Sequence, residues 1–407
     1  MQVPDMSKAP SPSSRSGIDP YAAARAWLRD QGEAMLDEQI ELARIPSPPF
    51  QESERASVIA SKLESMGARP EFDEIGNLLA WFPIDDRHAD STPVIIAAHM
   101  DTVFAPEVPI KITRSGRRWE GPGTTDNARG LAVSLAVLRA LIHGKVQPQH
   151  PVLFAFTVGE EGPGDLRGVK HLFTEGSPFR SAAAFIAVDG TGLRRIIHHA
   201  LGSRRFRVTI GGAGGHSWTD WGRSNPANAV GEVIQRLAAL PLPEQPRTTI
   251  TVARLGGGTS INAIPEEAWV EIDTRSEADE QLRQTESSIR DALATALAAE
   301  EERGEGPLTV DVTVIGERPA GRLPASHPLV RAAEEATRES GQEPEYAVSS
   351  TDANVPLALG IPAIAIGGGG TSGDTHTEHE WFEDSDGTAG ALRLLSIIAL
   401  VADPTDQ

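Results

Sequence analysis

The chain has 407 residues, which is too long for one ordinary hydrophobic core, so we expect two domains. It has 37 Lys and Arg against 57 Asp and Glu, and the resulting formal charge of −20 argues against nucleic acids and anionic membranes as partners. The absence of cysteine excludes disulfides and thiolate metal sites, so any metal site must use His, Asp or Glu.

The N-terminal segment 1–17 is polar and rich in Pro and Ser, and we predict a disordered tail there rather than a signal peptide. No segment is long and apolar enough to span a bilayer, so a cytoplasmic protein is expected. A helix is predicted from Asp19-Pro20 to about Arg44, because Asp is a good N-cap and Pro fits the first helical position. A second helix is predicted from about Glu52 to Met66.

Four later segments share one pattern, an apolar run of β-forming residues that ends in polar residues or glycine. They are Val94–Ala98, Val152–Val158, Ala183–Val188 and Ile361–Ile366. Their continuous hydrophobicity predicts strands buried on both faces, as in a mostly parallel α/β sheet flanked by helices. The Ala- and Leu-rich stretch 128–142 is the predicted crossover helix between the first two strands.

Between about residues 204 and 316 the pattern changes to strands that alternate apolar and polar residues, which is typical of half-exposed antiparallel sheets. These strands lie at 206–212, 249–255, 268–275 and 308–315, with helices at about 225–239 and 277–303. The order β-α-β-β-α-β predicts an inserted ferredoxin-like α+β module. The predicted organisation is a tail (1–17), an α/β catalytic domain in two parts (18–203 and 317–407) and a lid and dimerisation domain (204–316).

Polar side chains collect at the predicted carboxyl ends of the α/β strands, where open sheets form their ligand sites. They are His99, Asp101, Asp126, Glu160, Glu161, Asp189 and His376. Each alone is typical of a hydrogen-bonded core histidine or a solvated loop acid, but several carboxylates packed together would repel one another unless cations neutralised them. Oxygen and imidazole ligands without sulfur suit two divalent ions per chain, Zn²⁺ in the first place and otherwise Mn²⁺ or Co²⁺.

The motifs around these residues resemble those of the co-catalytic zinc exopeptidase and aminoacylase family, which includes peptidase T, carboxypeptidase G and succinyl-diaminopimelate desuccinylase. They are "HMDTV", "GPGTTDNARG", "GEEGPG", "AVDGTG", "GGAGGHS", "GGTSINAIPEEAWVEIDTR" and "HTEHEW", in the family's order. Each motif is weak alone, but the ordered set is specific and covers nearly the whole chain after the tail. The resemblance, nearest to peptidase T-like members, implies a zinc-peptidase α/β domain with an inserted lid.

The resemblance also implies a set of metal ligands, with Asp126 bridging both ions, His99 and Asp189 on one ion, and Glu161 and His376 on the other. Asp101 would orient His99, and Glu160 would act as the general base on a water that bridges the metals. Spacing alone does not decide which of Glu160 and Glu161 is the base. His379 is expected to be peripheral, because the family's acidic and aromatic residues fall at Glu380 and Trp381, in register with His376.

In the inserted module, His216 follows a glycine-rich turn and on sequence alone is a surface loop histidine. In family dimers the matching histidine reaches the partner's active site and stabilises the oxyanion, so the resemblance favours that role, in cis or in trans. Asn262 and Arg275 match lid positions that bind the substrate carboxylate. A salt bridge from Arg275 to Glu271 or Asp273 is the alternative.

Together these features predict a metallopeptidase, a di-metal amide hydrolase that acts on short peptides with a free carboxylate and forms a homodimer through the lid. An N-acyl-amino-acid deacylase of the same family is the alternative. A metal-bound peptide-binding protein without turnover is less favoured, because Glu160 is present beside a complete ligand set. Neither nucleic acid nor a membrane is an expected partner.

Overall fold

The computed structural model describes residues 19–84 and 91–403, so the predicted tail at 1–17 lies outside the described residues. The helices of the described part are α1 (Ala22–Arg29), α2 (Gly32–Ala43), α3 (Ser53–Ser65), α4 (Ala128–Gly144), α5 (Arg167–Leu172), α6 (Pro226–Ala238), α7 (Asp279–Arg303), α8 (Pro328–Glu339), α9 (Asn354–Ala358) and α10 (Ala389–Ala402). None of them is both long and apolar enough to cross a membrane.

The strands of the described part follow the chain in this order: β1 (Glu71–Phe72), β2 (Leu78–Phe82), β3 (Val94–His99), β4 (Thr113–Ser115), β5 (Arg118–Glu120), β6 (Val152–Thr157), β7 (Ala184–Val188), β8 (Arg195–Ala200), β9 (Gly202–Gly211), β10 (Gly215–His216), β11 (Thr248–Gly257), β12 (Ala263–Ile264), β13 (Glu267–Ser276), β14 (Thr309–Arg318), β15 (Gly321–Arg322), β16 (Glu345–Ser349), β17 (Ala363–Ile366), β18 (Thr371–Gly373) and β19 (Trp381–Glu383).

The largest sheet has the strand order β1-β2-β6-β3-β7-β17-β8-β15, with β16 beside β8. Its central strands β6, β3, β7 and β17 run parallel to one another, and all their residues are buried, whereas β2 and β8 pair antiparallel with β6 and β17 at either side. Helices cover this sheet, and the apolar helix α4 is buried along most of its length. The predicted mostly parallel α/β sheet flanked by helices is therefore confirmed. Parallel strands of this kind bring their carboxyl ends to one edge.

A second sheet has the order β11-β13-β9-β14, and its strands pair antiparallel. Helices α6 and α7 pack on one face of it around a separate apolar core that includes Val208, Val233, Val270 and Ile289. The chain order is the predicted β-α-β-β-α-β, so the ferredoxin-like α+β architecture of this module is confirmed. The limits 204 and 316 for a separate lid domain stay a prediction.

Two features of the fold differ from the sequence expectations. The single helix predicted from Asp19 to Arg44 is two helices, α1 and α2, and the break falls at Asp30 and Gln31, just before Gly32. Glycine is a poor helix former, which is consistent with an end of regular structure there. Strand β8 was not predicted. It lies between the last predicted α/β strand of the first part and the inserted module.

The start of helix α4 is fastened to the end of strand β7. The Asn127 side chain accepts a hydrogen bond from Gly130 N and donates one to the carbonyl oxygen of Val188. Gly130 itself lies so close to β7 that a Cβ atom there would be 2.2 Å from the same carbonyl oxygen. This contact fixes Asn127, the N-cap of α4, and with it the preceding Asp126, relative to Asp189, the residue after β7.

We therefore expect Gly130→Ala to destabilise the protein by about 1–3 kcal/mol, the usual range for overpacking a close contact. Gly231→Ala is the matched control, because Gly231 is also helical but exposed, with no atom within 4 Å of an added Cβ. Alanine there should stabilise the protein by up to about 1 kcal/mol, since it has the higher helix propensity. Urea unfolding of both variants measures the two free energies, and equal effects would contradict the proposed contact.

Candidate active site

The polar residues predicted at the strand ends meet in one cavity of about 620 Å³. Its lining includes Asp126, Glu160, Glu161, Asp189 and His376. His99 lies beneath them at the end of β3 and is 2% exposed. The structure thus brings together side chains that are up to 277 positions apart in sequence, from His99 to His376.

Asp126 lies between two groups of potential metal ligands. Its Oδ1 is 3.0 Å from His99 Nε2, which is itself 3.9 Å from Asp189 Oδ1. Its Oδ2 is 3.1 Å from His376 Nε2, and the same imidazole nitrogen is 3.1 Å from Glu161 Oε1. One carboxylate therefore presents one oxygen to each of two clusters, each with a histidine and a further acid.

These residues fit a pair of divalent cations. His99 Nε2 and Asp126 Oδ1 are buried without a hydrogen-bond partner among the described residues, although their contact is close. Buried polar atoms normally have hydrogen-bond partners, and two such unpartnered atoms that face each other suit a metal ion that binds both. The donors are hard carboxylate oxygens and imidazole nitrogens, the set that Zn²⁺, Mn²⁺ and Co²⁺ accept.

The protonation equilibria of the cluster are strongly coupled. Burial alone would lower the pKa of His99, but the carboxylates of Asp101, Asp126 and Asp189 outweigh burial and raise it. Hydrogen bonds that His376 donates to the carboxylates of Asp126 and Glu161 raise the pKa of His376 to about 10. Burial raises the pKa of Glu161, so this acid and the two histidines compete for protons when no cation is bound.

Asp126 is oriented by a buried acid that does not reach the clusters. Glu380 Oε1 accepts hydrogen bonds from Thr125 N at 2.7 Å, from the Thr125 hydroxyl at 2.6 Å and from Asp126 N at 3.2 Å. Its second oxygen accepts from His376 N at 3.4 Å. Glu380 thus ties the turn that carries Asp126 to the loop that carries His376.

Asp101 is completely buried and holds the loop after β6. Its two carboxylate oxygens accept hydrogen bonds from Glu160 N at 2.9 Å and Glu161 N at 2.8 Å. The Nδ1 atom of His99 contacts the Asp101 carbonyl oxygen at 3.1 Å and lies 3.6 Å from the carboxylate. Asp101 therefore contacts the two glutamates as well as His99, a connection that the two-residue spacing from His99 did not indicate, and its orienting role stays a prediction.

The two glutamates, which the sequence could not tell apart, have different partners. Glu161 contacts His376, as described above, whereas Glu160 Oε1 accepts a hydrogen bond from Arg318 Nη1 at 2.9 Å. Arg318 is the last residue of β14, is 6% exposed, and also contacts Ser350 Oγ. Burial raises the pKa of Glu160 and the Arg318 charge opposes that rise. Sequence reasoning missed Arg318, because nothing in the local pattern of β14 indicates where its last side chain lies.

Arg275 lines the cavity and also contacts Asp273, so the alternative salt bridge is present and the predicted binding role stays a prediction. Asp273 accepts from Arg275 Nε at 2.9 Å through one oxygen and from Arg205 Nε at 3.0 Å through the other. Both arginines line the cavity. The contact of Arg275 to Asp273 uses Nε, and within residues 19–84 and 91–403 its terminal nitrogens have no hydrogen-bond partner. Arg205 was missed because its partner lies on another strand.

His216 and Asn262 are not brought to the cavity by this chain. They lie together on the paired strands β10 and β12 and the adjoining turn, where Ser217 N donates to the Asn262 carbonyl oxygen. His216 is exposed, and its Nδ1 accepts from Trp218 N at 3.1 Å. The ring of His379 is 83% exposed and lies 3.6 Å from Glu120, outside the cavity lining. The roles of these three residues stay predictions.

Comparison with protein families gives a match to Peptidase family M20/M25/M40 over residues 95–399. The chain belongs to this family. The resemblance identified from the sequence motifs is therefore confirmed, and so is the prediction of a hydrolytic enzyme at the level of the family.

Among curated relatives of this M20 chain, a probable carboxypeptidase of Neosartorya fischeri is 28% identical over 264 residues, which are 57% of this chain and 58% of the relative. The chain thus matches little more than half the length of that carboxypeptidase. A putative succinyl-diaminopimelate desuccinylase of Mycobacterium tuberculosis is 26% identical over 336 residues, 81% of this chain and 88% of the relative.

Solved structures share the fold. Aminopeptidase PepT from Bacillus cereus superposes with a TM-score of 0.73 at 24% identity, covering 92% of this chain and all of PepT. A protein from Bacillus subtilis, described as a dinuclear metal binding peptidase from the M20 family, has a TM-score of 0.66 at 17% identity, covering 91% of this chain and 98% of its own.

The Glu380 contacts lead to a prediction about metal affinity. In Glu380→Gln the side chain carries an NH₂ group, so it cannot accept from both the Asp126 turn and His376 N as the carboxylate does. We expect metal affinity to fall about 10- to 100-fold, the range for residues that orient metal ligands. Metal titration by calorimetry measures this loss. His379→Ala is the control and should bind metal as the wild type does. A larger loss of metal affinity in His379→Ala than in Glu380→Gln would contradict the role of Glu380.

Proposed function

We propose that this M20 protein hydrolyses amide bonds of short peptides with a free C-terminal carboxylate, using two divalent ions, Zn²⁺ in the first place. The observation that supports this best is Asp126, which offers one oxygen to each of two His-and-acid clusters. Glu160 belongs to neither cluster around Asp126, and its carboxylate lies within 4.8 Å of ligand atoms of His99 and Glu161. His99 and Asp189 would hold one ion, and Glu161 and His376 the other, with Asp126 shared between them.

When bound, the two ions supply Lewis acidity, which polarises an amide carbonyl and makes water more acidic. The chain contributes the proton transfer. Because Arg318 holds Oε1 of Glu160, the second oxygen, Oε2, is the one that would accept a proton from the attacking water. The water oxygen bonds to the carbonyl carbon, and Glu160 passes the proton to the amide nitrogen as the C–N bond breaks.

The substrate carboxylate would be bound from the lid side of the cavity. Arg275, with its Nε engaged by Asp273, presents its remaining N–H groups to an anion in a fixed orientation. Asn262 was predicted to assist, but in this chain it lies on the turn beside His216. The deacylase alternative keeps support from the coverage of the desuccinylase relative, and it would use the same carboxylate contact.

We also propose that the protein is a homodimer in which His216 and Asn262 complete the partner's site. This assignment is supported by three large apolar side chains that the turns beside these residues expose, Trp218 at 84%, Trp221 at 85% and Ile261 at 104%. Apolar side chains clustered at an exposed surface of this kind mark interaction sites. His216 would then stabilise the oxyanion, a role its position in the single chain does not allow.

The role of Glu160 is tested by Glu160→Gln, which keeps the shape but cannot accept the proton. We expect kcat to fall about 10²- to 10⁴-fold with two ions still bound per chain. Single-turnover kinetics and elemental analysis provide the two measurements. Loss of metal from this variant would instead make Glu160 a ligand and reverse the assignment of the pair.

The role of Arg275 is tested by amidating the substrate C-terminus in wild type and in Arg275→Ala. In the wild type the amide should lose about 2–5 kcal/mol of binding, the cost of leaving a charged group without its partner. In Arg275→Ala, amidation should cost much less, since the amidation and the substitution remove the same interaction. Equal losses of kcat/KM in the two proteins would show that Arg275 only braces the lid.

A further inference from the structure

The charges on the cavity wall, outside the metal clusters, are unequally matched. Four arginines line the cavity: Arg195, Arg205, Arg275 and Arg318. Arg318 is paired with Glu160, and Arg205 and Arg275 share the single carboxylate of Asp273. The other acids in the lining, Asp126, Glu161 and Asp189, belong to the proposed metal clusters. Two of the four positive charges are therefore left without a negative partner.

One unmatched charge belongs to the pair at Asp273, where the proposed function already places the substrate carboxylate. The other belongs to Arg195, the first residue of β8. Among the described residues, no carboxylate lies within 4.0 Å of its side-chain nitrogens. Arg195 lies on the wall formed by the catalytic sheet, whereas Arg205 and Arg275 lie on strands of the inserted module. The two positive sites thus come from different parts of the fold.

The surroundings of Arg195 are those of a side-chain subsite. Ile197, two residues along β8, and Val348 of β16 line the same cavity, as do Thr191 and Ser372, whose hydroxyls contact each other at 2.6 Å. The backbone of Arg195 is held in place, because the buried Arg393 donates a hydrogen bond to the Arg195 carbonyl oxygen at 3.0 Å. A cation beside apolar and hydroxyl groups suits an aliphatic chain that ends in a carboxylate.

We propose that Arg195 binds a second anionic group of the substrate, so that the preferred substrates are dianionic: peptides or N-acyl amino acids with an acidic group in addition to the free C-terminal carboxylate. This inference rests on the proposed function for the first carboxylate only. Arg195 is exposed, so its guanidinium is accessible to a ligand that enters the cavity. A bound substrate with two carboxylates would pair with both arginine sites, whereas one with a single carboxylate leaves one of them to solvent.

The test compares isosteric substrates that differ only in this charge, Glu-Leu against Gln-Leu and Leu-Glu against Leu-Gln, in wild type and in Arg195→Ala. In at least one pair the wild type should prefer the acid by about tenfold in kcat/KM, and Arg195→Ala should lose most of this preference. Arg195→Lys should retain part of it, because it keeps the charge without the planar fork.

Arg194→Ala is the matched control. Arg194 is the adjacent arginine, is 58% exposed, lies 3.9 Å from Glu345 and is absent from the cavity lining, so its removal changes the net charge equally. This variant should keep the wild-type preference. If Arg194→Ala and Arg195→Ala reduce the preference equally, the effect is one of overall charge and the subsite is refuted. If the wild type shows no preference in either pair, the inference is also refuted.

A binding measurement separates this inference from the proposed catalytic activity. Calorimetric titration of the same four dipeptides into metal-loaded Glu160→Gln, with and without Arg195→Ala, gives dissociation constants that do not depend on turnover. An acid preference that disappears with Arg195→Ala supports the subsite even if the wild type cleaves none of these peptides, a result that would overturn the proposed function alone. Equal affinities for the acidic and amide peptides would overturn the subsite alone.

Discussion

The site depends on the electrostatic problem created by placing several carboxylates at one edge of one sheet. Strands β3, β6 and β7 end side by side, and the residues that follow them, together with the turn before α4, bring Asp101, Asp126, Glu161 and Asp189 close together. Asp101 and Glu161 are buried, and Asp126 and Asp189 are partly exposed at the cavity. Like charges at such distances raise one another's pKa and disfavour burial. The fold reduces this repulsion in two ways. Some of the acids accept hydrogen bonds from the chain itself, and the others lie where cations could bind between them.

The acids that are satisfied by the chain form the supporting layer of the site. Asp101 accepts two backbone N–H groups of the loop after β6, and Glu380 accepts three donors from the turn before α4. Both are completely buried, and neither has an oxygen in the two clusters around Asp126. In the proposed metal site, Asp101 and Glu380 would therefore fix the geometry, and Asp126, Glu161 and Asp189 would supply oxygens to the ions.

The inserted module contributes charge to the site as well as a cover. Arg318 at the end of β14 reaches Glu160, and Arg205 and Arg275 on β9 and β13 face the cavity with Asp273 between them. The cavity therefore has an acidic floor from the catalytic sheet and a largely basic wall. A substrate that carries negative charge at its ends and an amide between them matches this distribution, which connects the proposed chemistry to the choice of substrate.

The sequence by itself determined the fold class and the candidate ligands. Buried strands of a parallel sheet are continuous apolar runs, and those of a half-exposed antiparallel sheet alternate, so both sheets could be predicted from periodicity. The residues directly after the apolar runs, such as His99 and Asp189, could be assigned to one edge for the same reason. The resemblance of the motifs to the family then divided these residues between two ions, with Asp126 shared.

Only the tertiary structure decided the contacts between distant segments. The partner of Glu160 is 158 residues away, and the partner of Arg205 is 68 residues away on a neighbouring strand, so no local pattern indicates either. The break between α1 and α2 was missed for a related reason, since packing overrides weak helix propensity in either direction. Strand periodicity shows which face of the sheet a side chain lies on. Which charged residue it contacts there depends on how the strands pair, and the linear pattern does not encode that.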